Sequence, residues 1–230
     1  TFVHHTSDGM RMKNTFYLLL FWLGLSLRVP AQAIWSADFP FAGELPSNEM
    51  TELYQDEDGF VWIGTTNGLS RYDGYRLQTF QTDYRHPGRL THNHITCIAE
   101  DSAYLWIGTR KGLNLIDKRT YRITTPGEAP LQTAHIRSLC SDGKSRIWIA
   151  LNDRLLESRF PYHEYTSIKL PSLNGKPSYI NSFFYEKGKE RLWICTSNGI
   201  FVYTDSTQHL RHLPPVGPVS YTHLRAHETL

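Results

Sequence analysis

A short segment centred on tryptophan occurs four times in this 230-residue chain and limits what it can fold into. The copies lie at residues 60–69, 104–113, 146–150 and 191–200, and their tryptophans are 44, 42 and 45 residues apart. A period of about 40 to 50 residues is typical of a propeller blade or of a solenoid of helical pairs. The copies are rich in β-branched and aromatic residues, without the apolar spacing of a helix, so they predict strands. The sequence therefore favours the propeller.

Each repeat predicts four antiparallel strands. First strands are expected at residues 50–54, 95–99, 136–140 and 180–184, each followed by a polar turn and the strand that contains the tryptophan. Third strands are expected at 69–72, 113–116 and 200–203, and fourth strands at 75–80 and 121–124. The predicted fold class is all-β, a fragment of a larger β-propeller with about four four-stranded antiparallel blades.

The repeated Trp and Gly residues are interpreted as structural. A large ring at the same depth in every blade predicts packing between neighbouring sheets, with its N–H bonded locally. Asn-Gly favours a hairpin turn because both central residues need a positive φ. In the third copy Ala150 replaces the Gly or Cys, and Arg154 holds the hairpin position, so a different turn shape is expected there. The residues assigned to the repeat are Trp62, Gly64, Gly68, Trp106, Gly108, Gly112, Trp148, Trp193 and Gly199.

Both ends of the chain lack the repeat. Residues 1–9 precede the first methionine and are interpreted as upstream read-through. Residues 10–33 have a basic start, an apolar run and Ala31-Gln32-Ala33, which predict a secretory signal peptide cut after Ala33. Residues 34–218 then form the partial propeller, with repeats at about 45–88, 89–130, 131–174 and 175–213. Residues 219–230 resemble a translated sequencing adaptor and are treated as a non-native tail, so the natural protein is expected to continue.

Charge and cysteine content exclude several classes of function. Residues 34–218 hold 20 Lys and Arg against 20 Asp and Glu, without a basic stripe, which is poor evidence for direct nucleic-acid contact. Export permits disulfides, but Cys97, Cys140 and Cys195 are odd in number and lack a C-x-x-C motif, so buried free thiols are expected. His92 and His94 have no third ligand placed by sequence, so no metal or cofactor is expected. No catalytic triad or carboxylate pair can be assembled.

The run from Asp56 to Asp73 has the pattern D-x-x-G-x-x-W-I-G-T-x-x-G-L-x-x-Y-D. It resembles the two-component regulator propeller repeat, and the resemblance extends from residue 45 to about residue 203. The resemblance implies a truncated periplasmic sensor region of a Bacteroidetes hybrid two-component histidine kinase, with two seven-bladed propellers and downstream signalling domains. It also implies an oligosaccharide ligand, control of polysaccharide-utilisation genes, a homodimeric parent anchored in the inner membrane, and no catalysis by the residues present.

One face of the predicted propeller carries polar loops. The turn between the second and third strands and the connection into the next first strand lie on the same face of a propeller, and here both are rich in amide, imidazole and cationic donors. Such groups can orient a polyhydroxylated or acidic sugar, and Arg110 could pair bidentately with a uronate or sulfate. The candidate ligand-binding residues are Asn67, His92, Asn93, His94, Arg110, Lys111, His135, Asn152, Tyr179 and Asn198. Competing interpretations are an exported propeller enzyme, such as a lyase or a glycan-cleaving protein, and a propeller for protein–protein contact.

Overall fold

The tryptophan repeats fold into four-stranded antiparallel sheets in the computed structural model, which describes residues 41–213 except 84, 86–87 and 153. The described residues form four such sheets, one for each repeat. Within every sheet the strands pair in chain order, as expected for the blades of a propeller. The predicted fold class is therefore confirmed.

The strand bounds follow the repeats. Blade one consists of β1 Met50–Gln55, β2 Val61–Thr65, β3 Gly68–Tyr72 and β4 Leu77–Phe80. Blade two consists of β5 Ile95–Glu100, β6 Tyr104–Thr109, β7 Gly112–Asp117 and β8 Ile123–Thr124. Blade three consists of β9 Ser138–Ser141, β10 Arg146–Ala150, β11 Arg154–Arg159 and β12 Tyr165–Lys169. Blade four consists of β13 Ile180–Glu186, β14 Arg191–Thr196, β15 Gly199–Thr204 and β16 His209–Leu213. Short helical segments are the 3-10 helices Ala42–Glu44 and Lys187–Lys189 and the α-helix α1, Ala129–Thr133.

Some strands begin later than the sequence predicts. Strand β9 begins at Ser138 rather than at residue 136, and the Ile136 N–H donates to the Thr109 carbonyl of blade two over 3.0 Å. Strand β4 begins at Leu77 rather than at residue 75, because Oδ1 of Asp73 accepts the N–H groups that precede it and closes a turn. Asp117 closes the corresponding turn before β8.

Buried apolar side chains form three clusters within the described residues, one between each pair of successive blades. The exposed fractions of Trp62, Trp106 and Trp148 are 1%, 0% and 0%, and each ring packs in the cluster between its own blade and the next. The predicted role of these rings in inter-blade packing is therefore confirmed. Trp193 is only half-buried, because the described residues place no further sheet against that side of blade four.

The Gly after Trp-Ile allows neighbouring blades to approach closely. A Cβ at Gly64 would lie 2.8 Å from Cγ2 of Ile95, and one at Gly108 would lie 2.9 Å from Cγ2 of Ile136. Each of these Ile residues precedes or begins the first strand of the following blade. At the third interface Ala150 is fully buried in one cluster with Ile180, so this interface accommodates a methyl group.

The predicted hairpins also form. Gly112 has a φ of +107°, and the Thr109 hydroxyl donates to its carbonyl over 2.6 Å. In blade three the Leu151 N–H donates to the Arg154 carbonyl over 3.0 Å, which closes a turn of the same length. The predicted change in the shape of this turn involves residue 153, which lies outside the described residues.

The prediction that each indole N–H is bonded locally holds in three blades. The Nε1 atoms of Trp62 and Trp106 donate to Asp56 and Asp101, and Nε1 of Trp193 donates to Glu186. The prediction is wrong for Trp148, whose buried Nε1 has no acceptor among the described residues. The guanidinium of Arg146 covers the Trp148 ring at 4.2 Å, and its Nε faces Oδ2 of Asp142 at 3.7 Å. The carboxylate that would accept the indole proton therefore faces Arg146.

Several sequence predictions concern residues that the structure does not describe. The read-through segment, the signal peptide, residues 34–40 and the tail 219–230 all lie outside the described residues. Across the part that is described, no helix is long and apolar enough to cross a bilayer. Cys97 and Cys195 are buried thiols as predicted, whereas the prediction of burial is wrong for Cys140, which is only partly buried.

Candidate functional site

The polar loops predicted to share one face are joined by backbone hydrogen bonds. The Thr66 N–H donates to the Glu49 carbonyl over 3.1 Å, and the Arg110 N–H donates to the His94 carbonyl over 3.1 Å. Blade four repeats this bond over 2.9 Å, from the Ser197 N–H to the Tyr179 carbonyl. The hairpin turns of blades one, two and four are thus tied to the connections that enter those blades. We call this surface the loop rim.

Cationic and imidazole side chains come together where the loop rim passes from blade two to blade three. His94 precedes β5, Arg110 follows β6, and His135 and Arg137 precede β9. Arg110 lies close enough to both imidazoles to lower their pKa values. We call these four residues the rim cluster.

The surroundings of His94 and His135 favour the neutral form of each ring. Burial is the main cause that lowers the pKa of His94, and Arg110 and His92 lower it further, against a weaker opposing effect of Glu49. Burial also lowers the pKa of His135, with Arg137, Arg110 and His94 as the charged contributors. Each pKa falls mainly because burial removes water from the charged ring, and further because a proton on the ring would lie among like charges. Since an anion would relieve that repulsion, the cluster is suited to a negatively charged ligand.

Arg137 was not among the residues predicted from sequence. Its Nε donates to Oδ1 of Asn152 over 3.0 Å, so it brings this predicted candidate to the edge of the rim cluster. Arg137 follows the first apolar residue of its repeat, where the other copies have Thr51, Thr96 and Asn181. The sequence feature that could have identified Arg137 is a cation at a position where the other repeats have a neutral polar residue.

In blade one, the predicted candidates hold the loops together. The Asn67 side chain donates to the Pro46 carbonyl over 3.1 Å and accepts a bond of 3.3 Å from Asn93. Oδ1 of Asn93 in turn accepts the Thr82 N–H over 2.7 Å. These amides therefore connect consecutive loops of the rim.

The remaining candidates are divided between the rim cluster and blade four. Nδ1 of His92 accepts the His94 N–H over 3.0 Å, and Lys111 is exposed beside Arg110. In blade four, Nδ2 of Asn198 donates to the Pro177 carbonyl over 2.9 Å, and Tyr179 is 46% exposed. The structure thus brings His92, His94, Arg110, Lys111, His135 and Asn152 together around one blade junction, and leaves the others on blades one and four. Among the described residues no group of three or more His, Cys, Asp or Glu is arranged to hold a metal ion.

Solved structures with similar folds include an extracellular domain of a two component system and two enzymes. A protein described as the extracellular domain of a hybrid two component system of B. thetaiotaomicron is 19% identical, with a TM-score of 0.60, over 74% of this chain and 25% of its own. An ancestral GH74 enzyme is 12% identical, with a TM-score of 0.59, over 74% of this chain and 24% of its own. Virginiamycin B lyase from Staphylococcus aureus is 16% identical, with a TM-score of 0.56, over 74% of this chain and 57% of its own. At such identities the likeness shows the propeller fold alone.

The family signal comes from the repeats. Comparison with curated proteins gives no match. The chain spans about a quarter of the length of the B. thetaiotaomicron extracellular domain. Residues 44–67 and 89–111, which include the first two strands of blades one and two, match the sequence profile of the two component regulator propeller family. Two of the four repeats of this chain are therefore similar to the two component regulator propeller repeat.

Proposed function

We propose that this chain is the ligand-sensing propeller of an exported, membrane-anchored hybrid two-component sensor kinase. In this proposal the propeller detects an oligosaccharide in the periplasm, and a homodimeric parent controls polysaccharide-utilisation genes through its downstream domains. The proposal is supported by the match of two repeats to the two component regulator propeller family. It is also supported by the fold shared with an extracellular domain of a hybrid two component system.

The rim cluster is the observation that carries the ligand assignment. Burial and the Arg110 guanidinium lower the pKa values of both His94 and His135, and the Arg137 guanidinium lowers that of His135 as well. A guanidinium offers a planar pair of donors that matches a carboxylate or a sulfate. The exposed side chains of Lys111 and Arg110 keep the site accessible from solvent. The ligand class that fits best is an acidic oligosaccharide.

Calorimetric titration of the full chain with two acidic probes, trigalacturonate and a sulfated unsaturated disaccharide, tests this proposal. Replacing Arg110 with Ala is expected to weaken binding of the responsive probe by about tenfold or more, because a charge-assisted hydrogen bond is lost. The matched control is Arg119→Ala, which removes an exposed Arg from the β7–β8 turn of the same blade. No binding of either probe, or equal losses in both variants, would contradict the proposal.

The enzyme alternative has a separate test. The GH74 enzyme and the lyase share only the fold with this chain, at 12% and 16% identity. A sensing propeller leaves a bound oligosaccharide intact, so prolonged incubation with each probe should give no shorter product by mass spectrometry. Cleavage that the Arg110→Ala substitution abolishes would favour the exported enzyme instead.

A further inference from the structure

We propose that a groove between blades three and four, on the face opposite the loop rim, is a second ligand site that takes a neutral carbohydrate unit. Its walls come from the β11–β12 and β15–β16 turns, which lie at the opposite strand ends from the hairpins of the loop rim. The groove has a volume of about 750 Å³. Ligand pockets commonly measure about 300 to 1,000 Å³, so the groove has room for a short oligosaccharide.

A buried ion pair forms the floor of the groove. Nη2 of Arg146 donates to Oδ2 of Asp205 over 2.5 Å and to the Tyr185 hydroxyl over 2.8 Å. The Tyr185 hydroxyl also donates to Asp205 over 2.8 Å. Arg146 is only 8% exposed and stacks on Trp148, so its orientation is fixed before any ligand arrives. A preformed floor lowers the ordering cost of binding.

Both arginines that line the groove are paired with carboxylates, and Glu164 adds one further carboxylate to the lining. Nη1 of Arg146 lies 3.7 Å from Oε1 of Glu157, and the same oxygen lies 3.2 Å from Nη2 of Arg159. The lining therefore presents carboxylate acceptors and guanidinium donors side by side, in contrast to the cationic rim cluster. Hydroxyl groups both donate and accept, so a polyol can use both kinds of partner, whereas a charged ligand would meet like charge as well as opposite charge.

An aromatic ring supplies the apolar contact that a sugar ring needs. Phe160 lines the groove and is 58% exposed. Its N–H donates to the Ser145 carbonyl over 2.7 Å, and its ring packs edge-on against Tyr162 at 5.7 Å, so the exposed ring is held in place. A carbohydrate presents hydroxyls around its edge and C–H groups on its face. The groove pairs a polar floor with an exposed aromatic ring, which fits that chemistry.

Saturation-transfer NMR and calorimetry on the full chain test the groove with neutral glucose, xylose, mannose and galactose trisaccharides. At least one is expected to bind, and Phe160→Ala should weaken its binding by about tenfold through loss of the stacking contact. Arg159→Ala, at a side chain that is 69% exposed, should weaken binding to a smaller extent. The matched control is Tyr75→Ala, which removes an aromatic ring that is 87% exposed on the corresponding turn of blade one.

The result separates this inference from the proposed function. Saturating trigalacturonate should leave the neutral probe bound, because the two ligands occupy opposite faces. Three outcomes would contradict the proposed groove site. They are failure of every neutral trisaccharide to bind, equal losses in the Phe160 and Tyr75 variants, and displacement of the neutral probe by trigalacturonate. The first two outcomes leave acidic binding at the rim cluster untouched, and Arg110→Ala decides whether a displacing trigalacturonate binds there.

Discussion

Oδ2 of Asp101 accepts a hydrogen bond of 2.5 Å from Nε1 of Trp106 and another of 2.7 Å from the hydroxyl of Tyr162. Trp106 lies in blade two and Tyr162 in blade three, so one carboxylate joins two blades. Its Oδ1 accepts the N–H groups of Ala103 and Tyr104 in the turn that precedes the Trp strand. Burial and this bond raise the pKa of Tyr162, which keeps the hydroxyl protonated as a donor.

Replacing Asp101 with Ala should lower the free energy of unfolding by about 3 kcal/mol or more. The substitution leaves two buried donors without an acceptor and opens a turn. Asp101 is 2% exposed, whereas Asp58, in the corresponding turn of blade one, is exposed and serves as the control. Urea unfolding of both variants measures the difference, and a loss within about 0.5 kcal/mol for Asp101→Ala would contradict the role given to it.

Gly108→Ala should destabilise the junction between blades two and three. The new Cβ would clash with Sγ of Cys97 in blade two and would lie 2.9 Å from Cγ2 of Ile136 at blade three, and both residues belong to one buried cluster. Overpacking of this kind costs about 1 to 3 kcal/mol. Gly127 has no atom within 4 Å of a Cβ placed on it, so Gly127→Ala is the matched control. Equal midpoints of thermal unfolding for the two variants would show that close blade approach does not explain the repeat Gly.

Arg146→Ala should cost about 3 kcal/mol of stability, because Asp205 would be left as a partly buried carboxylate without its cation. Arg191 holds the same position in the repeat of blade four and is exposed, so Arg191→Ala should change stability by less than about 0.5 kcal/mol. Chemical unfolding of both variants tests this contrast. Similar effects of the two substitutions would mean that the Arg146 network is not specific to blade three.

The stability of the chain should fall on acidification through the histidines of the rim cluster. The folded state lowers the pKa of His94 and His135 below the ordinary value of 6.5, so the unfolded state binds more protons near pH 6. The two histidines therefore do not lower the free energy of unfolding well above pH 6.5, and they lower it increasingly as the pH falls below that value. Substituting both residues with Asn should flatten this part of the stability profile. Substituting the exposed His209 with Asn should leave it unchanged.

The sequence predicted what the copies share, and the structure was needed for what distinguishes them. Periodicity and local residue preference correctly predicted the Trp strands, because strand formation here depends on residues that are neighbours along the chain. Arg137 was missed because it gains its significance from Arg110 and His135 across a blade junction. The groove was missed for the same reason, since Arg146 and Asp205 lie 59 residues apart. Among the candidates found, Asn67 and Asn198 also connect backbone loops, which the hairpin pattern did not indicate.

The most direct test of an anionic ligand at the rim cluster is a pH titration of the imidazole signals of His94 and His135 by NMR, with and without trigalacturonate. A bound carboxylate favours the protonated form of each ring, so both pKa values should rise when the ligand is present. At any one pH, adding trigalacturonate should leave the position of the His209 signal, on blade four, unchanged. Unchanged pKa values for His94 and His135 at saturating ligand would contradict the account, because an anion held between Arg110 and Arg137 must alter the field at both imidazoles.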